Sequence, residues 1–294
     1  MSGIRWTRRT TVKVAQQLAN MGIKISPNTV AKLLKNLGYK LRVNAKKLNK
    51  NKDPGRDIQF AYIASMRETF TKAGLPIVSV DAKHRELVGD FKNAGTTWNS
   101  ESTSVLDHDF PSDAKGVALP YGVYDTSANE ACVSVGTTHD TADFAVDNLV
   151  RWWNNHGRAR YRGAQQLFVL ADSGGSNGAR TRAWCHGLQH RLCDPFSISV
   201  TICHYPSGTS KCNPIEHRVF SEMSKNWAGQ PLRDYETIIN YINTTTTKTG
   251  LRVDAHLIKT NYPTGIKISD KEMKDLSIRP HDTQPNRNYT ISPR

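Results

Sequence analysis

No apolar run in the 294-residue chain approaches the roughly 18 residues that cross a bilayer, so no membrane-spanning segment is expected. The first residues, MSGIRWTRRTT, are basic but have no apolar stretch behind them, which is unlike a secretory signal; a cytoplasmic location is the expectation. Cysteine is sparse: five residues, at 132, 185, 193, 203 and 212, with no C-x-x-C pair. An odd number at these spacings fits neither a disulfide framework nor a structural zinc site. The nearest grouping, Cys203 and His204 with Cys212 and His217, matches no common zinc pattern, so reduced thiols packed as small apolar groups are expected. Acidic residues are missing altogether from positions 1–52, which hold thirteen Lys or Arg, whereas 53–294 hold twenty-seven against twenty-six acids. Nearly all of the net charge of +14 therefore sits in the first 52 residues, and a polyanion such as the DNA backbone is its natural counter-charge.

That basic segment carries two stretches of helical periodicity. Val12, Val14, Ala15, Leu18 and Ala19 form one, and Val30, Ala31, Leu33, Leu34 and Leu37 the other. Gly22 can end the first helix, and Ser26-Pro27 supplies an N-cap and a first-turn proline for the second. The pattern predicts a helix-turn-helix whose second helix turns Asn28, Thr29, Lys32, Lys35 and Asn36 outward, toward phosphates or base edges. An ordinary pair of packed helices would give the same periodicity; the one-sided charge favours DNA.

The polar stretch 46–56, with the turn signature Asp53-Pro54-Gly55, is the expected boundary. This gives a basic DNA-binding segment at 1–52, a linker and helix at 53–76, a catalytic core at 77–230, and a C-terminal helix and extended tail at 231–294. In the linker helix, Ile58, Ala61, Tyr62, Met66 and Phe70 form the expected packing stripe. Beyond it the order is three strands, helix, strand, helix, strand, helix, with Leu87–Phe91 as a possible hairpin extension. A meander followed by alternating strands and helices predicts an α/β fold on a mixed five-stranded sheet.

Four carboxylates close short apolar runs: Asp81 after IVSV, Asp125, Asp140 and Asp172 after LFVLA. In such a sheet, sites form beyond the carboxyl ends of parallel strands. If the first three strands form a meander, the second runs backwards and carries Asp125 to the far edge, as a turn acid. Asp140 lies at the correct edge but suits a helix N-cap equally well. Asp81 and Asp172 would end adjacent parallel strands, and Glu216 opens a helix entered through Pro214. Converging acids of this kind hold divalent cations against phosphate. The loop from Asp172 to Gly178, DSGGSNG, can expose backbone N–H groups, but it lacks the Lys-Ser/Thr ending of a nucleotide-hydrolysing loop. Lys211 and Asn213 precede Glu216 and can contact DNA; Asn213 can alternatively cap the helix. Trp152 and Trp153 are expected in the core, and the Pro-rich tail from Arg279 either lies extended across the core or is loosely held.

The blocks IVSVDAKHRELVGDFKNAG, PYGVYDTSAN, THDTADFAV, RWWNNHGRARY, LADSGGSNG, CHYPSGTSKCNPIEHRVFS and TTTTKTGLRV together resemble the ISAzo-thirteen family of bacterial insertion-sequence transposases, from about Trp6 to Arg294. The resemblance implies a ribonuclease H-like core, a DDE active site made by Asp81, Asp172 and Glu216, and two Mg²⁺ (or Mn²⁺) ions. It further implies transposon ends and target DNA as partners, a homo-oligomer assembled on DNA, and a bacterial, nucleoid-associated protein. The resemblance also implies that relatives carry more sequence ahead of the two-helix segment. The chain departs from some DDE enzymes in having Met223, not a basic residue, seven positions after the glutamate; Arg218 and Lys225 are the nearby cations. Two rival readings are a catalytically inactive DNA-binding relative and a metal-dependent nuclease that cuts without joining.

Overall fold

The computed structural model describes residues 10–40, 54–98, 100–107 and 111–294. Most of the expected boundary stretch, 46–53, lies outside them. The chain divides into two compact units, Met1–Asn51 and Lys52–Arg294.

In the first unit, α1 (Thr11–Asn20) and α2 (Pro27–Asn36) form a helix pair. Thr10 caps α1 by accepting from the Lys13 N–H at 3.3 Å, and Ser26 caps α2 by accepting from the Thr29 N–H at 3.1 Å. Gly22 takes φ +85° in the connection, a conformation with little steric cost only for glycine. Ala15 and Val30 are the buried residues, while Asn28, Thr29, Lys32, Lys35 and Asn36 are all exposed.

The second unit opens with α3 (Arg56–Lys72). Its buried residues are Gln59, Ile63 and Phe70; of the expected stripe Tyr62, Met66 and Phe70 pack on the core, whereas Ile58 and Ala61 are exposed. The stripe is rotated because the inward-facing amide of Gln59 finds a buried partner, described below, that no periodicity rule anticipates.

Among the described residues nine strands follow: β1 (Ile77–Ala82), β2 (Glu86–Val88), β3 (Gly116–Asp125), β4 (Glu130–Gly136), β5 (Gln166–Ala171), β6 (Ser199–His204), β7 (Arg252–Ile258), β8 (Ile278–Pro280) and β9 (Asn288–Ile291). They form one mixed sheet in the order β7-β4-β3-β1-β5-β6-β9-β8, with β2 pairing to β3. The five strands legible in the sequence are the central five, and β3 runs antiparallel to both β1 and β4. What the sequence left open lies in 231–294, where a helix is present and the tail from Arg279, of its two readings, is extended against the sheet and not loosely held. This segment contributes the helix Tyr235–Asn243, β7 parallel to β4, and the β8–β9 hairpin, whose β9 pairs antiparallel with β6.

Helices cover both faces, which is why β1 and β5 are buried on both sides over most of their length. On one face α4 (Ala142–Trp152) and the helix Arg182–Leu188 pack Leu149, Trp152, Trp184 and Leu188 against Val78, Val80 and Val169, and Trp153 is buried beside them. On the other, Ile215, Val219, Phe220 and Met223 pack on Ala131, Val133 and Tyr124, while α3 covers Ile77, Phe168 and Leu170. Each such fully buried side chain contributes on the order of 1.5–3 kcal/mol. Four of the five cysteines are buried and all are free thiols. Among the described residues no helix is long and apolar enough to cross a membrane.

Candidate active site

β1 and β5 pair in parallel, with Ile77 opposite Phe168, Val78 opposite Val169 and Ser79 opposite Leu170. Continuing that register by two residues sets Asp81 beside Asp172, at the strands' carboxyl ends. The third acid arrives from the other face. Pro214 leads into a helix whose first turn, Glu216–Phe220, is π-helical and continues as the α-helix Ser221–Asn226. A π turn in this position is common at functional sites.

A buried polar clamp fixes that turn to β1. Asn213 donates from Nδ2 to the Val80 carbonyl at 3.0 Å, and Ser79 Oγ accepts from the Ile215 N–H at 3.0 Å. Asn213 is fully buried, so it neither contacts DNA nor caps the helix through its side chain. At Gly122, the register partner of Asp81, a Cβ would lie 2.6 Å from Ile215 Cδ1, so the bare backbone lets the turn approach the sheet closely.

The electrostatics follow from this convergence. Burial, reinforced by the negative charge of Asp172 and then Glu216, pushes the Asp81 carboxyl up to about 8, although the Ala82 N–H donates to its Oδ1 at 2.8 Å. Burial, with Glu216 adding to it, pushes Asp172 up to about 6. Among the described residues none of the three acids forms an ion pair, and Asp172 Oδ1 is buried without a hydrogen-bond partner. An all-carboxylate oxygen set with mutual repulsion and an orphaned acceptor suits a hard divalent cation such as Mg²⁺ or Mn²⁺. Among the described residues no group of three or more His, Cys, Asp or Glu side chains is placed so as to hold a metal ion.

The other strand-end acids part from this group. Asp125, fully buried at the far edge, accepts from the Ser127 and Ala128 N–H groups, from the Tyr161 hydroxyl and from Arg160. It is the turn acid its strand direction predicts. Asp140 does not cap α4; Thr141 does, accepting from the Phe144 N–H at 3.2 Å. Asp140 instead faces the loop after β5, where a Cβ on Gly175 would lie 3.9 Å from its Oδ2, and burial raises its pKa.

Lys211 is exposed just ahead of Glu216. Arg218, also exposed, lines a separate hollow with Asn129, His217 and residues 246–249. Met223 is fully buried, so an apolar residue at that position follows from packing. Sequence reasoning missed Ser79 and also His204, a fully buried imidazole at the end of β6 that burial holds down to about 4.

The sheet order, with acids gathered at the carboxyl edge of its two central parallel strands, defines an α/β protein of the ribonuclease H-like class. The chain belongs to the family described as the Rhodopirellula transposase DDE domain, whose model matches residues 1–293. The comparison with curated proteins gave no match. Among solved structures, the chain is similar to the Mos1 transposase paired-end complex with the left transposon end, at 14% identity and TM-score 0.48 over 80% of this chain and 65% of that one. The Mos1 strand transfer complex gives 17% and 0.49 over 80% and 64%. The Mos1 mariner paired end complex with Mn gives 14% and 0.46 over 80% and 65%. The chain thus spans a little under two thirds of those proteins.

Proposed function

We propose that this transposase-family chain cuts DNA at the ends of an insertion sequence and joins the freed strand to target DNA, with Asp81, Asp172 and Glu216 as its acidic site. The observation that supports this reading is the parallel register that brings Asp81 beside Asp172 at one sheet edge, with Glu216 near enough to help raise both carboxyls, in a member of a DDE family. Asp81 and Asp172 would hold two Mg²⁺ or Mn²⁺ ions, with Glu216 completing one site. Such ions activate an attacking water or 3′-hydroxyl and offset charge on the leaving oxygen.

The chain's own groups supply the positioning. The Ala82 N–H orients one Asp81 oxygen, and the Ser79–Asn213 clamp holds Glu216 over β1. Asn28, Thr29, Lys32 and Lys35 on α2 are the residues we assign to DNA, with Lys211 near the scissile phosphate and Arg218 farther along the duplex. No side chain has to bond covalently to DNA. Two element ends have to meet, so a homo-oligomer on DNA is part of the proposal.

The test is incubation of purified protein with linear DNA carrying the element's terminal repeats and Mg²⁺ or Mn²⁺. Strand-transfer products that disappear in Asp81→Ala, Asp172→Ala and Glu216→Ala support the reading. Hydrolysis without joining identifies a nuclease, and metal-independent binding with no product sinks catalysis.

A further inference from the structure

We propose that His204 and Tyr289 are positioning residues for Asp172, which makes the C-terminal hairpin a working part of the acidic site; the proposal rests on the reading of Asp172 as a metal-holding acid.

Asp172 is the first residue beyond β5 and the last before the glycine-rich run to Gly178, so little in its own segment fixes its backbone. The neighbouring strand end does so instead. His204 Nδ1 lies 2.7 Å from the Asp172 carbonyl oxygen. A carbonyl only accepts, so Nδ1 carries the proton. The neutral ring then presents a lone pair at Nε2, and the Tyr289 hydroxyl, 3.2 Å away, donates to it. Cys185 Sγ in turn donates to the Tyr289 oxygen at 3.6 Å. On either side of this contact, the Tyr205 N–H donates to the Ala171 carbonyl at 2.9 Å and Ser173 Oγ donates to the Tyr205 carbonyl. The aspartate's peptide is thereby tied down on three successive residues.

His204 is itself held from outside the two parallel strands. Its N–H donates to the Arg287 carbonyl at 3.0 Å, and its carbonyl accepts from Gln59 Nε2 at 2.9 Å. Gln59 and Asn288, both fully buried, exchange amide hydrogen bonds in both directions at 2.7 Å. This is the partner that rotates α3. The chain of contacts runs from α3 and β9, through an imidazole, to the carbonyl of one acid. An ordinary core histidine would satisfy its own two nitrogens equally well, but it would have no bearing on cation binding. Groups that orient metal ligands from behind typically change metal affinity or activity by about 10–100-fold when removed.

The discriminating variants are Tyr289→Phe, which keeps the ring and removes the hydroxyl, and the pair His204→Asn and His204→Leu. The Asn amide restores a donor near the Nδ1 position, and Leu does not. Mn²⁺ affinity of the full chain without DNA, the Mg²⁺ concentration for half-maximal cleavage, terminal-repeat affinity and thermal melting are measured for each. Expected are weaker Mn²⁺ binding and a higher Mg²⁺ requirement, by about tenfold, in Tyr289→Phe and His204→Leu, partial recovery in His204→Asn, and unchanged DNA affinity. Equal Mn²⁺ affinity in Asn and Leu variants of equal folded fraction, or a wild-type Mg²⁺ requirement in Tyr289→Phe, overturns the proposal. Wild-type protein that binds Mn²⁺ but does not cleave removes the catalytic reading and leaves the positioning test intact; wild-type protein that binds no Mn²⁺ removes both.

Discussion

Ser79 Oγ lies 2.5 Å from Asn213 Oδ1 across a wholly buried contact, one of three hydrogen bonds that join the strand carrying Asp81 to the turn carrying Glu216. Ser79 donates here and accepts from the Ile215 N–H, so both functions of its hydroxyl are used. Ser79→Ala strands the Asn213 oxygen and the Ile215 N–H in the core, at a cost of about 1–3 kcal/mol. Urea unfolding should register that loss. Cleavage at a temperature where the variant is folded should fall by about tenfold as well; a stability loss with wild-type cleavage per folded molecule would separate the clamp from the acids.

Gly122 makes a steric counterpart. Its missing side chain leaves room for Ile215 Cδ1 and Phe220, at 2.6 and 3.1 Å from the position a Cβ would take. Gly122→Val therefore overpacks the contact beneath Glu216 and should destabilise by about 1–3 kcal/mol. Thermal melting measures it, and an unchanged midpoint would mean that the turn rides farther from the sheet.

The raised carboxyls give the cation-free protein an unusual pH profile. Asp81 is pushed up to about 8 and Asp172 to about 6, both above the value of about 3.9 in an unfolded chain. Between those limits the folded state binds more protons than the unfolded one, so this contribution is complete below about pH 4 and is lost as pH rises through about 8. Asp81→Asn removes the larger part. Its melting temperature should exceed that of wild type near pH 8 without metal, with the gap closing toward pH 4. Added Mg²⁺ should raise the wild-type value far more than that of the variant. Parallel curves for the two proteins would show that neither burial nor the neighbouring acids raise the Asp81 carboxyl.

On α2, Lys32 and Lys35 are exposed on the outward face. If each meets a phosphate, Lys32→Ala and Lys35→Ala should each lower the slope of log affinity against log salt by about 0.9. Binding titrations over a series of salt concentrations measure this, and unchanged slopes would turn the face away from DNA.

What the sequence disclosed depended on how local the physics was. Ser26-Pro27 and Gly22 mark helix ends by chemistry confined to a few residues, so α1 and α2 were legible. IVSV and LFVLA are almost wholly apolar, which announces buried strands, and strand direction alone sufficed to part Asp125 from Asp81 and Asp172. β7 and β9 were hidden because RVDAHLI and NYTI are short and mixed in polarity, and they become strands only by pairing with distant β4 and β6. Gln59, Asn213 and His204 were hidden for a related reason. A polar side chain is credible in a core only when its partner is known, and those partners lie 229, 134 and 32 residues away.

The pairing of β9 with β6 also sets an order of events during synthesis. The strands carrying Asp81 and Asp172 leave the ribosome long before Asn288–Ile291, and until those last strand residues emerge β6 presents an unpaired edge. A nascent chain interrupted ahead of residue 288 would carry all three acids and the whole two-helix unit, yet lack the brace behind Asp172. On the proposed reading, such a fragment would keep the α2 face assigned to DNA while holding its cations about tenfold more weakly.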